Sequence, residues 1–238
     1  LSTEFKQQFI VEARPGAAGA IGFKAVSSSP PDGYTFLLGT VSVLTLLPII
    51  NPKVEYDALR DLTNIAYVAG TPAVLSVNPQ SGLGDLKTFV ERARASSVPF
   101  TFASTGLGSD GHLLGLAFAS QAKFKVEHVP YKGAQQGITD LLGGHVKFAT
   151  YTLASSSTYL ANHSLAGLAV TSAERVAAFP DIPTFKELGY PGMVSTTWFS
   201  FSGPAHLPRD IAQKLNASLN AFLATDAGGR NLGQQSKS

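Results

Sequence analysis

Pro72-Ala-Val-Leu-Ser-Val-Asn-Pro79 is an extended apolar run that closes on a proline, and Trp198-Phe-Ser-Phe-Ser-Gly-Pro204 is a second such run late in the chain. The two bracket about half of the sequence. A chain that leaves one α/β lobe along the first run and re-enters it along the second forms two lobes joined by two strands, with a cleft between them. On that reading residues 1–74 and 195–238 build the first lobe and residues 75–194 the second. The alternative is two ordinary strands of one sheet.

Outward from these runs, short stretches rich in β-branched and aromatic residues alternate with helical periods, as in a mostly parallel sheet. Strands are expected at 9–12, 34–38, 65–68, 74–77, 100–103, 126–129, 146–151, 168–171 and 197–202. Asp85 caps a helix whose Leu86, Phe89, Val90 and Ala93 share one face. Pro208, at a first helical position, opens another that carries the stripe Ile211, Leu215, Leu219 and Phe222. Both stripes read as core. Residues 228–238 hold turn formers without an apolar stripe and read as a frayed end.

At 238 residues the chain is 44% hydrophobic and 14% charged, enough to bury a sizeable core and too apolar for disorder. Eighteen Lys and Arg against sixteen Asp and Glu leave a formal +2, with no basic cluster, which argues against nucleic acid or an anionic membrane as partner. The absence of cysteine excludes disulfides, thiolate metal sites and a thiol nucleophile. The most apolar stretch, 36–50, is interrupted by Gly39, Thr40, Ser42, Thr45 and Pro48 and is shorter than the ~20 residues of a spanning helix. Leu1-Ser-Thr-Glu-Phe-Lys6 lacks the pattern of a signal peptide, so none is expected in this chain.

Gly106-Leu-Gly-Ser-Asp-Gly111 is a formal G-x-G-x-x-G between an expected strand and a helix, and Glu127 follows at close to the spacing of a ribose-binding acid. A nicotinamide-dependent oxidoreductase is therefore one reading. The other takes the loop as a general anion cradle: Ser104, Thr105 and Ser109 supply hydroxyls, Ser109 caps the helix, and N–H groups and the helix dipole face a carboxylate or phosphate. A ligand-free glycine turn also suits the pattern. Arg14-Pro-Gly-Ala-Ala-Gly-Ala-Ile-Gly22 repeats the strand, small-residue loop and helix arrangement, with Arg14 read as a surface guanidinium. Leu107 breaks the nucleophile elbow G-x-S-x-G. The five histidines show no metal-binding spacing, and His112, in the first turn after the loop, is the one placed to touch a ligand.

Seven collinear segments together resemble the substrate-binding proteins of tripartite tricarboxylate transporters, the Bug-type receptors. They are 11–22, Pro31-Asp-Gly-Tyr-Thr-Phe-Leu-Leu-Gly39, Ser104-Thr-Gly-Leu-Gly-Ser-Asp-Gly-His-Leu113, His128-Val-Pro-Tyr-Lys-Gly133, Asp140-Leu-Leu-Gly-Gly-His-Val146, 168–171 and Pro180-Asp-Ile-Pro-Thr184. The resemblance implies a two-lobed α/β fold of the type II periplasmic-binding-protein kind. It implies a monomeric periplasmic receptor that closes on a small organic carboxylate and presents it to membrane permease subunits. Carried over by position, ligand contacts fall on Ala17, Ala18, Gly19, Thr40 and Ser42 in the first lobe and on Thr71 and Pro72 at the crossing. In the second lobe they fall on Ser104, Thr105, Gly106, Gly108, Ser109 and His112, with Tyr151 as a wall. No cofactor, metal or catalytic residue is expected. Family members begin with a further strand and a Pro-Gly-Gly loop and end with further helix, so the resemblance also implies a member truncated at both ends.

Overall fold

A computed structural model describes residues 1–225; the expected frayed end at 228–238 lies outside them. The chain divides into two compact units, one made of residues 1–70 and the stretch from Trp198 onward, the other of Thr71–Thr197. In chain order the elements begin with α1 (Ser2–Phe5), α2 (Ala20–Ser27), β1 (Leu37–Thr40), α3 (Leu47–Ile50), α4 (Ala58–Asp61) and β2 (Leu62–Thr71). Then come β3 (Ala73–Val77), α5 (Leu86–Ala95), β4 (Phe100–Ser104), α6 (Asp110–Ala122), β5 (Val126–Pro130) and α7 (Ala134–Leu142). β6 (Phe148–Thr152), α8 (Leu153–Ala161), β7 (Ala166–Val170), β8 (Thr197–Pro204) and α9 (Arg209–Leu223) complete the order.

The first unit holds a three-stranded sheet in the order β1-β8-β2. The expected strand at 9–12 does not form. β1 and β2 are the edges of this three-stranded sheet and neither takes 9–12 as a neighbour; Val11 stands 95% exposed while Phe9 turns aside to stack on Phe36. β1 also starts three residues later than its apolar pattern suggests. Asp32 accepts a hydrogen bond from the Tyr34 N–H at 3.0 Å and Gly33 sits at φ +85°, a turn that uses up 32–34 before the chain extends.

α9 begins one residue after Pro208, which is its N-cap and not its first helical residue. Leu215 is buried against Ile65 and Leu207 with Ile211 and Leu219 beside it. Phe222 corrects the expected stripe: it is 49% exposed, because the cluster under α9 ends at Leu219.

The second unit carries a five-stranded sheet, β5-β4-β6-β3-β7. β4 runs parallel to β5 and β6, but β3 is antiparallel to both β6 and β7, so the sheet is mixed where a mostly parallel one was expected. β6 starts at Phe148, after the turn in which His145 N–H reaches back to the Asp140 carbonyl. One face packs an aromatic cluster in which Phe89 meets Phe100, Phe124 and Phe148 edge-on at 5.2 to 5.7 Å. Each fully buried phenylalanine contributes about 1.5–3 kcal/mol, with an increment from edge-to-face geometry. α5 delivers Phe89 as expected: Asp85 caps it by accepting from Thr88 N–H at 2.8 Å, and Leu86, Phe89, Val90 and Ala93 are buried.

The opposite face packs α7 and α8. Tyr151, on β6, is 4% exposed in this layer, and its hydroxyl has no hydrogen-bond partner. Burial drives the pKa of that hydroxyl upward. A Cβ on Gly137 of α7 would stand 1.8 Å from it. A buried hydroxyl with no partner costs about 1 kcal/mol or more, so Tyr151→Phe is expected to raise the melting temperature by about 2–4 °C. Gly137→Ala should lower it, less so in the Tyr151→Phe background; differential scanning calorimetry of the four proteins checks both.

Candidate functional site

The 104–109 loop forms where β4 ends and α6 begins. Gly106 (φ +125°) and Gly108 (φ +82°) take conformations that strain any residue with a Cβ, and the Ser109 N–H closes the turn on the Gly106 carbonyl at 3.1 Å. Ser109 is the N-cap, its Oγ accepting from the His112 N–H at 3.2 Å. The other N–H groups of the first turn lack intrahelical acceptors, and the helix dipole adds partial positive charge in the same direction. A carboxylate is the ligand such an arrangement suits.

Two contacts hold the first turn of α6 in place. A Cβ on Gly111 would lie 2.1 Å from the Thr150 carbonyl oxygen, so only glycine permits this approach, and Thr150 Oγ1 donates to the Gly111 carbonyl at 2.6 Å. Asp110 accepts a hydrogen bond from the Thr197 hydroxyl.

Beneath the loop lies a polar chain. Ser104 Oγ, 0% exposed, is 2.7 Å from His128 Nε2, accepts from Ser109 Oγ at 3.2 Å and accepts from the Gly106 N–H at 3.3 Å. His112 Nδ1 accepts from the Gly108 N–H at 3.2 Å. The two imidazoles lie 4.2 Å apart, with Phe102 against both. Burial, with the neighbouring His112, pushes His128 down to about 4, and burial lowers His112 as well. Both rings are neutral at pH 7. Ser104 and His128 have the separation of a nucleophile and its base, but the serine oxygen is fully buried and already accepts two hydrogen bonds.

The first unit carries the matching loop. Gly16 (φ +122°), Ala17 (+47°), Ala18 (+51°) and Gly19 (+97°) are four successive positive-φ residues, closed by the Gly19 N–H on the Gly16 carbonyl at 3.0 Å. A left-handed alanine costs about 1–2 kcal/mol, and such strain collects at functional sites. Gly19 packs on Val43, next to the buried Ser42; Thr40 ends β1. Arg14 is paired with Glu12 at 2.9 Å on the surface, as its sequence context suggests.

Thr71 and Pro72 sit where β2 passes into β3, with the Pro72 carbonyl accepting from the Leu153 N–H at 2.8 Å. Tyr151 lies under α7, buried in the layer opposite the aromatic cluster. The dinucleotide reading is a correction. Glu127 pairs in register with Thr101, three residues before the carboxyl end of β4 at Ser104. At about 3.3 Å per residue it stands about 10 Å from the end of the sheet at which a ribose would bind.

His128 is the site residue that sequence reading missed. Its signal was the register of two parallel strands, which sets it beside Phe102. Among the described residues no group of three metal-ligating side chains occurs, and no helix is long and apolar enough to cross a membrane. A cavity of about 880 Å³ in the first unit, over Tyr56, Ile65, Tyr67 and Trp198, is lined by none of the loop residues.

The model of the tripartite tricarboxylate transporter family receptor matches residues 1–233. BugT of Bordetella pertussis is 33% identical over 228 residues, which cover 95% of this chain and 70% of the relative. Among solved structures, R. palustris Rpa4515 with adipate superposes with a TM-score of 0.93 at 31% identity, covering 98% of this chain and 78% of that one. The periplasmic binding protein BugD superposes at 0.92 and 26% identity, with the same coverage.

Proposed function

The chain belongs to the tripartite tricarboxylate transporter receptor family, and from that premise we propose that it is a periplasmic receptor that binds a small organic carboxylate and delivers it to the membrane subunits of such a transporter. The carrying observation is the 104–109 loop, with its two positive-φ glycines and a serine-capped helix behind it. Thr105 meets the carboxylate with its hydroxyl, and the loop that Gly106, Gly108 and Ser109 shape over buried Ser104 and His112 meets it with the N–H groups not already bonded within it. In the first unit Ala17, Ala18 and Gly19, with Thr40 and Ser42, form a second small-residue loop of the same kind, and Thr71 and Pro72 stand where β2 passes into β3. Meeting the anion with N–H groups and no lysine or arginine keeps the charge interaction moderate, which suits a receptor that must release its load. The protein acts by binding, without a chemical step.

Adipate, found with a relative at 31% identity, heads the panel for a thermal-shift screen of organic carboxylates, with NAD and NADP as controls. At about 100 times Kd a ligand adds about 2.7 kcal/mol, or about 5–10 °C in a domain pair of this size. Thr105→Asp, which sets a carboxylate in the loop, should abolish the shift at unchanged melting temperature. Shifts confined to the dinucleotides, or none with any carboxylate, would overturn the reading.

A further inference from the structure

The loop is held from beneath by acceptors on two different elements, and hydrogen-bond accounting fixes the direction of the chain that joins them. Ser109 Oγ accepts from the His112 N–H and donates to Ser104 Oγ. Ser104 Oγ also accepts from the Gly106 N–H, so both of its lone pairs are taken. Its single proton has two acceptors in reach, His128 Nε2 at 2.7 Å and the Gly106 carbonyl at 3.2 Å. The shorter contact wins if Nε2 is bare, and Ser104 Oγ then accepts two hydrogen bonds and donates one. If Nε2 carried a proton, Ser104 would have to accept a third hydrogen bond or give one up. On α6, Nδ1 of His112 receives the Gly108 N–H and must be bare for the same reason.

We propose that His128 and His112 are positioning residues of the carboxylate loop: each holds it through an unprotonated ring nitrogen, Nε2 of His128 under Ser104 and Nδ1 of His112 under Gly108. Neither touches the ligand. They fix which loop N–H groups are used up and which remain to meet it. His128 is therefore the Nδ1–H tautomer and His112 the Nε2–H tautomer, opposite choices set by the same loop. The depressed basicity of both rings agrees with this. The inference rests on the receptor reading for its link to binding, while the tautomers stand on geometry alone.

The test has two arms. Long-range proton–nitrogen NMR correlation on wild-type protein with labelled histidine, at pH 7 and without ligand, should show a bare Nε2 in His128 and a bare Nδ1 in His112. A proton on either of these nitrogens would overturn the proposal. In the second arm, adipate is titrated calorimetrically into the wild type, His128→Gln, whose amide oxygen can replace the acceptor, and His128→Leu. Binding within threefold of wild type for His128→Gln and at least tenfold weaker for His128→Leu is the expected result; equal binding by wild type and His128→Leu would overturn it. If the leucine variant does not fold, the spectrum decides. If the wild type binds no carboxylate, the receptor reading fails and the tautomers still settle how the loop is held.

Discussion

Gly111→Ala is expected to lower the melting temperature by about 6–12 °C and to remove carboxylate binding with it. The added Cβ would meet the Thr150 carbonyl oxygen at 2.1 Å, and that oxygen belongs to the backbone of a central strand, so it cannot turn aside as a side chain would. The first turn of α6 must move outward by more than an ångström. That stretches the Thr150 to Gly111 hydrogen bond and the Thr197 to Asp110 contact together. Overpacking of this kind costs about 3 kcal/mol, and each kcal/mol moves the midpoint by about 2–4 °C at this size. The same displacement carries Ser109 and Gly108 out of place, so the loop N–H groups no longer converge. Gly84→Ala is the control: its Cβ would meet nothing within 4 Å, and stability should stay within about 0.5 kcal/mol of the parent. Gly108→Ala should lie between, since φ +82° costs a left-handed alanine about 1–2 kcal/mol. Calorimetric melting and adipate titration of the three variants check the order. A Gly111→Ala protein melting within 2 °C of wild type would show that α6 is not fixed by this contact.

The G-x-G-x-x-G spacing located the loop, the helix cap and the glycine that brings helix to strand, all from local rules. It could not say which ligand the loop serves, because that depends on where Glu127 falls along the neighbouring strand, and a one-residue pattern carries no register. Strand direction was equally out of reach. Nothing in Ala73–Val77 marks it as antiparallel to its two neighbours, since a fully buried strand shows no alternation to compare. At 9–12 the apolar pattern was a sound strand signal, but nothing local says whether a sheet edge takes the segment up. The small-residue loop was legible through its glycines, whereas the left-handed turns at Ala17 and Ala18 were not, as alanine gives no cue for positive φ. His128 lay hidden because its partners, Ser104 and His112, are supplied by two other elements.

Between pH 7 and pH 4 the protein is expected to lose about 2 kcal/mol of stability through His128, and His128→Gln should remove that part of the loss. Burial and the neighbouring His112 hold the ring at about 4, against an ordinary value of 6.5. Below pH 6.5 the unfolded chain therefore takes up a proton that the folded chain refuses until about pH 4. Stability is fully present above 6.5, declines through the interval, and levels off once both states are protonated. The groups that face the ring bear out the sign. β4 offers Phe102 and Ser104, α6 offers His112, and among the described residues His112 is the one titratable group acting on it. Glu127, next along β5, belongs to the other face of the strand by alternation. At full value the displacement corresponds to about 3 kcal/mol, and partial exposure of the ring brings this to about 2. His112, lowered in the same direction, adds to the slope. Surface carboxylates held low by their partners, such as Asp85 and Asp61, weaken the fold only as the pH falls through the acid range, and they do so equally in both proteins. The difference between wild type and His128→Gln, from urea unfolding at a series of pH values, therefore isolates the ring. Parallel profiles would mean that the imidazole titrates freely, so that neither its burial nor the Ser104 bond holds the ring neutral below pH 6.5.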